Sequence, residues 1–487
     1  MLEATAQEFP AREAVVFGGT RWTYAQLRRV VAGFSTQLGH QGGRIATLLP
    51  NCLLACAAPY AVAAAGAQLV PLNPLYTARE LEYMLRDAAP RILIVDDALV
   101  ERVEGLWDGC ALLRVSQLAA CFETWLAEEG TLELPDADSD GLLQYTGGSS
   151  GLPKGVILTH RALATNIAQR ESLLPVARGC ERVLCVMPLF HSYAMAMGLF
   201  LCGYSGSTLV VQPGYHPQRV LDAIRDEGIT IFPGSPTIFT GLMQHEAFAG
   251  TDWSRVHTCY SGSAALSSET LERWQAATGA PIYEGYGQTE AGPVLSFNPQ
   301  RGPVKVGSVG IAVADTEIEV VDLDEGTRAL PAGERGEIRA RGPQVMRGYL
   351  NLPQETAESL RDGWLYTGDI GEFDADGYLY IRDRKKDLVI VGGYNVYPRE
   401  VEEVLFTHPD IVEAAVVGQP DAYRGEVLRA FVVLRAGAAF DEEALREYCA
   451  ARLARYKLPA RIEALEAMPR TSVNKTDKKV LKARVRA

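Results

Sequence analysis

The sequence predicts an α/β protein in which a large N-terminal region is followed by a small α+β region. Three observations carry this. Helical and strand patterns alternate from residue 1 to about 140, and again from the apolar run Val156–Leu158 to Glu284. Short strands separated by Gly and Pro replace that alternation between 300 and 380. A charged knot, Arg382-Asp383-Arg384-Lys385-Lys386-Asp387, then precedes a second mixed region. Repeated strand–helix–strand units build a mostly parallel sheet covered by helices.

In chain order, Thr23 caps a helix to Gln37, and 44–49 reads as a strand. Residues 52–65 read as a helix, 67–71 as a strand, 77–86 as a helix and 92–95 as a strand. The acidic stretch 128–140 reads as a solvated connector. The pattern resumes with a helix over 160–173, a strand over 183–187, and a helix and strand over 195–211. Helices at 217–227 and 267–278 precede strands at 230–232 and 282–284. Runs such as 316–321 and 337–340 suggest a small β-rich barrel or sandwich. After the knot, 397–406, 412–417, 430–434 and 441–453 read as helix, strand, strand and helix. The domain boundary falls at the knot, giving 1–383 and 384–487.

A chain of 487 residues is too long for one compact core. A net charge of −13 argues against a nucleic-acid binder or a polybasic membrane anchor, without forbidding a local basic funnel for an anionic substrate. Nine cysteines with no C-x-x-C pair give no disulfide or zinc framework, so a reducing cytoplasm is expected. Glu3 and Glu8 with no apolar core predict no export signal. The most apolar window, 53–70, is broken by Pro59, Gly66 and Gln68, and reads as a buried helix and strand rather than a membrane span.

The stretch 145–155 carries the most chemistry. Gly147, Gly148 and Gly151 let backbone N–H groups approach an anion, Thr146, Ser149 and Ser150 add neutral donors, and Lys154 adds a mobile charge. This is a polyphosphate cradle, but not a Walker loop, because Lys154 follows Pro153 and Gly155 stands where the metal-binding hydroxyl would be. Read alone, it is also compatible with a flexible hairpin. Tyr286-Gly287-Gln288-Thr289-Glu290 places an aromatic, a hydroxyl and a carboxylate at a strand end, where α/β sheets bind nucleotides. Tyr286 could cover an adenine, Thr289 could donate to a phosphate, and Glu290 could bind Mg²⁺. Tyr366-Thr367-Gly368-Asp369 reads as a strand end whose Asp369 suits two ribose hydroxyls. Near the C-terminus, Lys475 could neutralise a reacting carboxylate and phosphate. An ordinary turn, a β-turn Asp and a surface lysine are the plain alternatives for these last three.

Together these blocks resemble the acyl-adenylate-forming superfamily of acyl-CoA synthetases, luciferases and adenylation domains of nonribosomal peptide synthetases. The resemblance covers nearly the whole chain through 145–155, 188–194, 286–290, 366–369, 382–402 and 469–475, and lies nearest the fatty-acyl-CoA ligases. It implies an ATP-dependent, AMP-forming ligase using Mg²⁺ and coenzyme A, with a mobile C-terminal domain. Thr146, Gly147, Gly148, Ser149, Ser150, Gly151 and Lys154 would form the β/γ-phosphate loop. Thr289 would meet the α-phosphate, Glu290 the Mg²⁺, Tyr286 the adenine, and Asp369 with Arg384 the ribose. Lys475 would assist adenylation. Lys386 would be the hinge, Gly392 and Gly393 would line the pantetheine tunnel, and His191 would gate the acyl pocket. Gly147 stands where many members carry Ser, Ser149-Ser150 replaces a Thr pair, and Asn474 replaces the usual Gly.

Phe190-His191-Ser192 lacks the Asp that amino-acid-activating members place after that Phe. The pocket segments 192–198, 234–238, 260–265 and 292–295 carry no charge, which favours an apolar monocarboxylate. A medium- or long-chain fatty acid is preferred. An aryl acid of the benzoate or coumarate kind, and an acyl-AMP ligase that loads a carrier protein, are the alternatives. A carrier-protein acceptor and a homodimer stay open.

Overall fold

The computed structural model of the chain describes residues 1–147, 152–262, 266–421, 423–471 and 475–486. Contacts group the chain into two compact units. One comprises 1–266, 270–318 and 340–365, and the other 267–269, 319–339 and 366–487.

The first unit holds two large sheets. The seven-stranded sheet runs in the order Gly348–Tyr349, Lys154–Thr159, Asp140–Thr146, Gln68–Leu72, Arg44–Leu48, Ile92–Val95, Ala111–Arg114. From Asp140–Thr146 onward its strands are parallel, whereas Lys154–Thr159 is antiparallel to both of its neighbours. The nine-stranded sheet has six parallel inner strands: Ile282–Gly287, Thr258–Ser261, Ile231–Gly234, Arg182–Cys185, Thr208–Val211 and Glu13–Phe17. Strands covered on both faces need continuous apolar runs. Ile92–Val95 meets that condition throughout and Thr208–Val211 from Leu209 on, and both are buried at every residue.

Helix starts follow local chemistry. Thr23 and Thr77 cap Tyr24–Leu38 and Ala78–Ala88, each in a reciprocal capping box, with Gln26 and Glu80. The apolar window becomes the helix Leu53–Ala64, with Pro59 inside it, and the strand Gln68–Leu72. Among the described residues no helix is long and apolar enough to cross a membrane.

Two expectations need correction. The helix expected from Met195 is not regular: Ser192–Ala194 leads into a π-helical turn, Met195–Phe200, and then Leu201–Ser205. The Tyr60 hydroxyl donates to the Leu199 carbonyl at 2.9 Å and that of Tyr24 to the Cys202 carbonyl at 2.6 Å. The Cys202 carbonyl also accepts the Gly206 N–H at 2.9 Å, so the Tyr24 bond adds to the helix's own pairing, and both tyrosines tie this segment to other helices. The second correction is that Tyr366–Asp369 does not end a strand. It lies inside Trp364–Phe373, with Gly368 at φ +70° absorbing a kink and pairing resuming at Asp369 opposite Arg384.

In the second unit, Leu379–Arg384 runs antiparallel to Trp364–Phe373. A five-stranded sheet follows, ordered Tyr394–Val396, Val389–Val391, Gly425–Leu434, Ile411–Asp421, with Arg461–Ala464 parallel to Gly425–Leu434. The helix Pro398–Phe406 buries Val401 and Leu405, and Glu442–Ala450 buries Leu445 and Cys449. All four join a core with Val416, Ala430 and Val432.

Candidate functional site

In the first unit, Thr146 and Lys154 face each other across the antiparallel strands Asp140–Thr146 and Lys154–Thr159. The candidate loop therefore closes a hairpin rather than a strand-to-helix turn. Gly147 is exposed beside Thr146, whereas Gly148, Ser149, Ser150 and Gly151 lie outside the described residues. The hairpin root is held where the Tyr145 hydroxyl donates to the Asp87 carboxylate at 2.7 Å.

Tyr286 and Gly287 belong to the strand Ile282–Gly287, and Thr289 and Glu290 to the short 3₁₀ turn that follows. Gly287 has a steric reason to be glycine: a Cβ there would stand 1.8 Å from the Pro293 carbonyl oxygen. Thr289 Oγ1 lies 3.3 Å from Ser192 Oγ. His191 caps the helix that begins at Ser192, its Nδ1 accepting from the Tyr193 N–H at 3.3 Å. The fold thus brings the 188–194 and 286–290 blocks together. Met195 and Met197 are fully buried in the first unit's core.

The sequence reading missed Tyr349. Its hydroxyl donates to Glu290 Oε1 at 3.0 Å, and Lys154 Nζ sits over its ring, 4.9 Å from the centroid. Nothing local in Gly348-Tyr349 advertises this role, because it follows from pairing with Val156 one strand away. Arg170 was missed as well. It is fully buried against Tyr260, donating to that hydroxyl at 2.8 Å and to the Leu174 carbonyl at 2.9 Å.

In the second unit Asp369 is buried, and its carboxylate lies 3.1 Å from Arg384 Nε. Lys475 is half-buried and bonded to Thr471. The Thr471 N–H donates to the Lys475 carbonyl at 2.7 Å and the Lys475 N–H to the Thr471 hydroxyl at 3.1 Å. Asn474 lies outside the described residues. Burial, reinforced by the Arg384 guanidinium and opposed by the Asp369 carboxylate, pulls the Lys475 ammonium down to about 8. The fold therefore gathers Asp369, Arg384 and Lys475 into one electrostatic cluster.

Lys386 lies in a 3₁₀ turn, Lys385–Asp387, where Asp387 is paired with Lys482 at 2.6 Å. Gly392 and Gly393, at φ +57° and +87°, form the two-residue turn between Val389–Val391 and Tyr394–Val396. Two successive left-handed residues make the hairpin turn whose twist matches its strands, so these glycines have a backbone reason in addition to any tunnel.

All nine cysteines are free thiols. Among the described residues no group of three or more His, Cys, Asp or Glu could hold a metal by itself. A Mg²⁺ ion bound with a nucleotide needs only one or two carboxylates beside phosphates and water. Glu290, fixed by Tyr349, fits that donor set.

The family model described as AMP-binding enzyme matches residues 2–350, and the one described as AMP-binding enzyme C-terminal domain matches residues 400–475. A long-chain-fatty-acid–CoA ligase of Bacillus subtilis (strain 168) is 38% identical over 516 residues, covering 98% of this chain and 92% of that protein. A feruloyl-CoA synthase of Amycolatopsis sp is 36% identical over 487 residues, covering 99% and 96%. The crystal structure of ATP-bound MatB from Rhodopseudomonas palustris superposes with a TM-score of 0.91 at 29% identity, covering 99% and 98%.

Proposed function

The chain belongs to the AMP-binding enzyme family, the acyl-adenylate-forming superfamily, and on that premise we propose how its residues divide the work of an AMP-forming acyl-CoA ligase acting on a long-chain fatty acid. The substrate carboxylate attacks the α-phosphorus of ATP in line, the bond to pyrophosphate breaks, and acyl-AMP forms. The CoA thiolate then attacks the acyl carbonyl, and AMP leaves.

Bringing two anions together requires positive charge at the transition state. Lys475 supplies it beside the reacting carboxylate and α-phosphate, while Asp369 and Arg384 hold the ribose. Thr146, Gly147 and Lys154, with Gly148, Ser149, Ser150 and Gly151, cradle the β- and γ-phosphates. Thr289 donates to the α-phosphate, Tyr286 covers the adenine, and His191 gates the acyl pocket. Glu290 holds the Mg²⁺, whose charge offsets that of the phosphates. Lys386 is the hinge of a mobile 384–487 domain, and Gly392 and Gly393 line the path of pantetheine. The observation that carries this reading is the grouping of a depressed lysine, Lys475, with Asp369 and Arg384. Perturbed ionisable groups gathered in this way mark functional sites.

The fatty acid is supported by the absence of charged residues from the pocket segments 192–198, 234–238 and 292–295 and by the name of the Bacillus subtilis relative. Free cysteines suit a cytoplasmic reaction. A second reading, a hydroxylated aryl acid, is favoured by the buried Tyr193 hydroxyl beside Gly262, which has no hydrogen-bond partner among the described residues. The feruloyl-CoA synthase relative points the same way.

Pyrophosphate release with ATP and Mg²⁺ tests both, using alkanoates of rising length and hydroxycinnamates, each with and without CoA. Multiple turnover on long alkanoates only when CoA is present is the expected result. Preference for a hydroxycinnamate would transfer the assignment to the aryl reading. A single turnover unaffected by CoA would overturn CoA as acceptor in favour of a carrier protein.

A further inference from the structure

We propose that Tyr349 is a positioning residue that fixes Lys154 and Glu290 for a Mg²⁺–polyphosphate. The inference rests on the proposed roles of those two residues. Lys154 begins a strand of the seven-stranded sheet and Glu290 lies in the 3₁₀ turn after a strand of the nine-stranded one; they are more than 130 positions apart in the sequence and carry opposite charges intended for different ligands. A cation and a carboxylate free to pair with each other would neutralise the charges that a phosphate and a metal require. Tyr349 meets each with a different chemical surface. Its ring face lies against the Lys154 ammonium, 4.9 Å from centroid to Nζ, and its hydroxyl donates to Glu290 Oε1 at 3.0 Å. Cation–π contact takes up none of the ammonium protons, and the phenol hydrogen bond takes up a single lone pair of Oε1.

The backbone supports the same arrangement. The Arg347 N–H donates to the Ile157 carbonyl at 2.9 Å and the Leu350 N–H to that of Gly155 at 2.8 Å, which stitches Gly348–Tyr349 onto the strand that begins at Lys154. One residue earlier, the Met346 N–H donates to the Glu290 carbonyl at 2.8 Å. The segment 346–350 is therefore bonded both to Glu290's own backbone and to the lysine's strand. Gly348 permits the close passage: a Cβ there would lie 2.7 Å from the Thr356 methyl, and its φ is +154°. The Thr356 hydroxyl accepts from the Tyr349 N–H at 2.9 Å, and the Ser359 side chain bonds the Tyr349 hydroxyl. The ring is thus held from its backbone and from its tip.

The test is calorimetric ATP binding, in EDTA and across a Mg²⁺ titration, with wild type, Tyr349→Phe and Tyr349→Leu. Tyr349→Phe keeps the ring and loses the bond to Glu290. It should leave ATP affinity in EDTA within about two-fold and raise the Mg²⁺ concentration giving half-maximal tightening by about five-fold or more. Tyr349→Leu also removes the ring, and should weaken binding in EDTA by a further factor of about two to five. A Mg²⁺ dependence of Tyr349→Phe identical to wild type would overturn the positioning role while leaving the nucleotide reading intact. Equal loss of binding in EDTA by both variants would overturn it too, by revealing only general damage to the site. Wild type that binds no ATP at any Mg²⁺ concentration would overturn the nucleotide reading and this inference together.

Discussion

The two lysines proposed for the site are prepared in opposite ways. Lys154 opens a strand, pairs with Thr146 across the hairpin, and its ammonium rests on the Tyr349 ring. Lys475 is bonded to Thr471 and half-buried, with a guanidinium and a carboxylate acting on its charge. The first is positioned by a sheet and supported by an aromatic face. The second is tuned by its surroundings, and stands near the pH at which it would lose its proton. A group that only holds polyphosphate needs permanent charge and a fixed address. A group that acts where charge develops gains from low dielectric, because burial strengthens its field even as it lowers its pKa.

Removing the tuned charge should produce the largest effect. Lys475→Ala is expected to slow adenylate formation by about 100- to 1,000-fold while thioester formation from supplied acyl-AMP changes little. Comparable loss in both half-reactions, measured by quenched-flow, would erase the contrast between the lysines.

Gly393 sharpens the distinction between backbone and tunnel. Gly393→Leu should impair CoA transfer about ten-fold or more, since its φ of +87° disfavours a branched side chain and the added bulk would obstruct pantetheine. Gly393→Asn separates the two causes, because Asn tolerates the left-handed conformation. Transfer restored in the Asn variant would leave the turn as the whole reason for glycine.

The pH profile tests the tuning directly. If the charged form of Lys475 acts, kcat/KM for ATP should fall as pH rises through about 8, and Lys475→Arg should remove that limb. Stability should move the other way. The unfolded lysine binds its proton up to about 10.4, so between 8 and that value the unfolded state holds more protons and the fold gains stability as pH rises, by about 2 kcal/mol. A flat profile in both measurements would place Lys475 among ordinary surface lysines.

The smallest effect comes from a titrating pair away from the proposed site residues. His257 Nε2 lies 3.0 Å from Glu181 Oε2, and that hydrogen bond holds the imidazole above its ordinary pKa. Its contribution is complete below the unfolded value near 6.5 and disappears as pH rises through the folded one. His257→Ala should cost less than about 1 kcal/mol at pH 6 by chemical denaturation, with kcat unchanged. A loss of activity at full stability would extend the site beyond its assigned residues.

Much was legible because it was local. Capping by Thr23, the helix over 77–86, the helix from Pro217 to Glu227 and the strand Ile92–Val95 all follow from patterns within a dozen residues. Lys154, Glu290, Asp369 and Lys475 were legible as residue types in motif order. Local pattern misled where long-range contacts intervened. Gly368-Asp369 reads as a strand end but lies inside a strand, because Leu379–Arg384 pairs with it from Asp369 onward. The helix after His191 carries a π turn that no local pattern announces, in a segment bonded by tyrosines from two other helices.

By itself the sequence determined the alternating α/β architecture and the chemical types in each motif, since periodicity, caps and charge are written within short windows. Tertiary structure alone decided that Tyr349 would touch both Lys154 and Glu290, and that Lys475 would be drawn toward neutrality beside Arg384 and Asp369. Strand register and burial set both outcomes, and each depends on segments far apart along the chain.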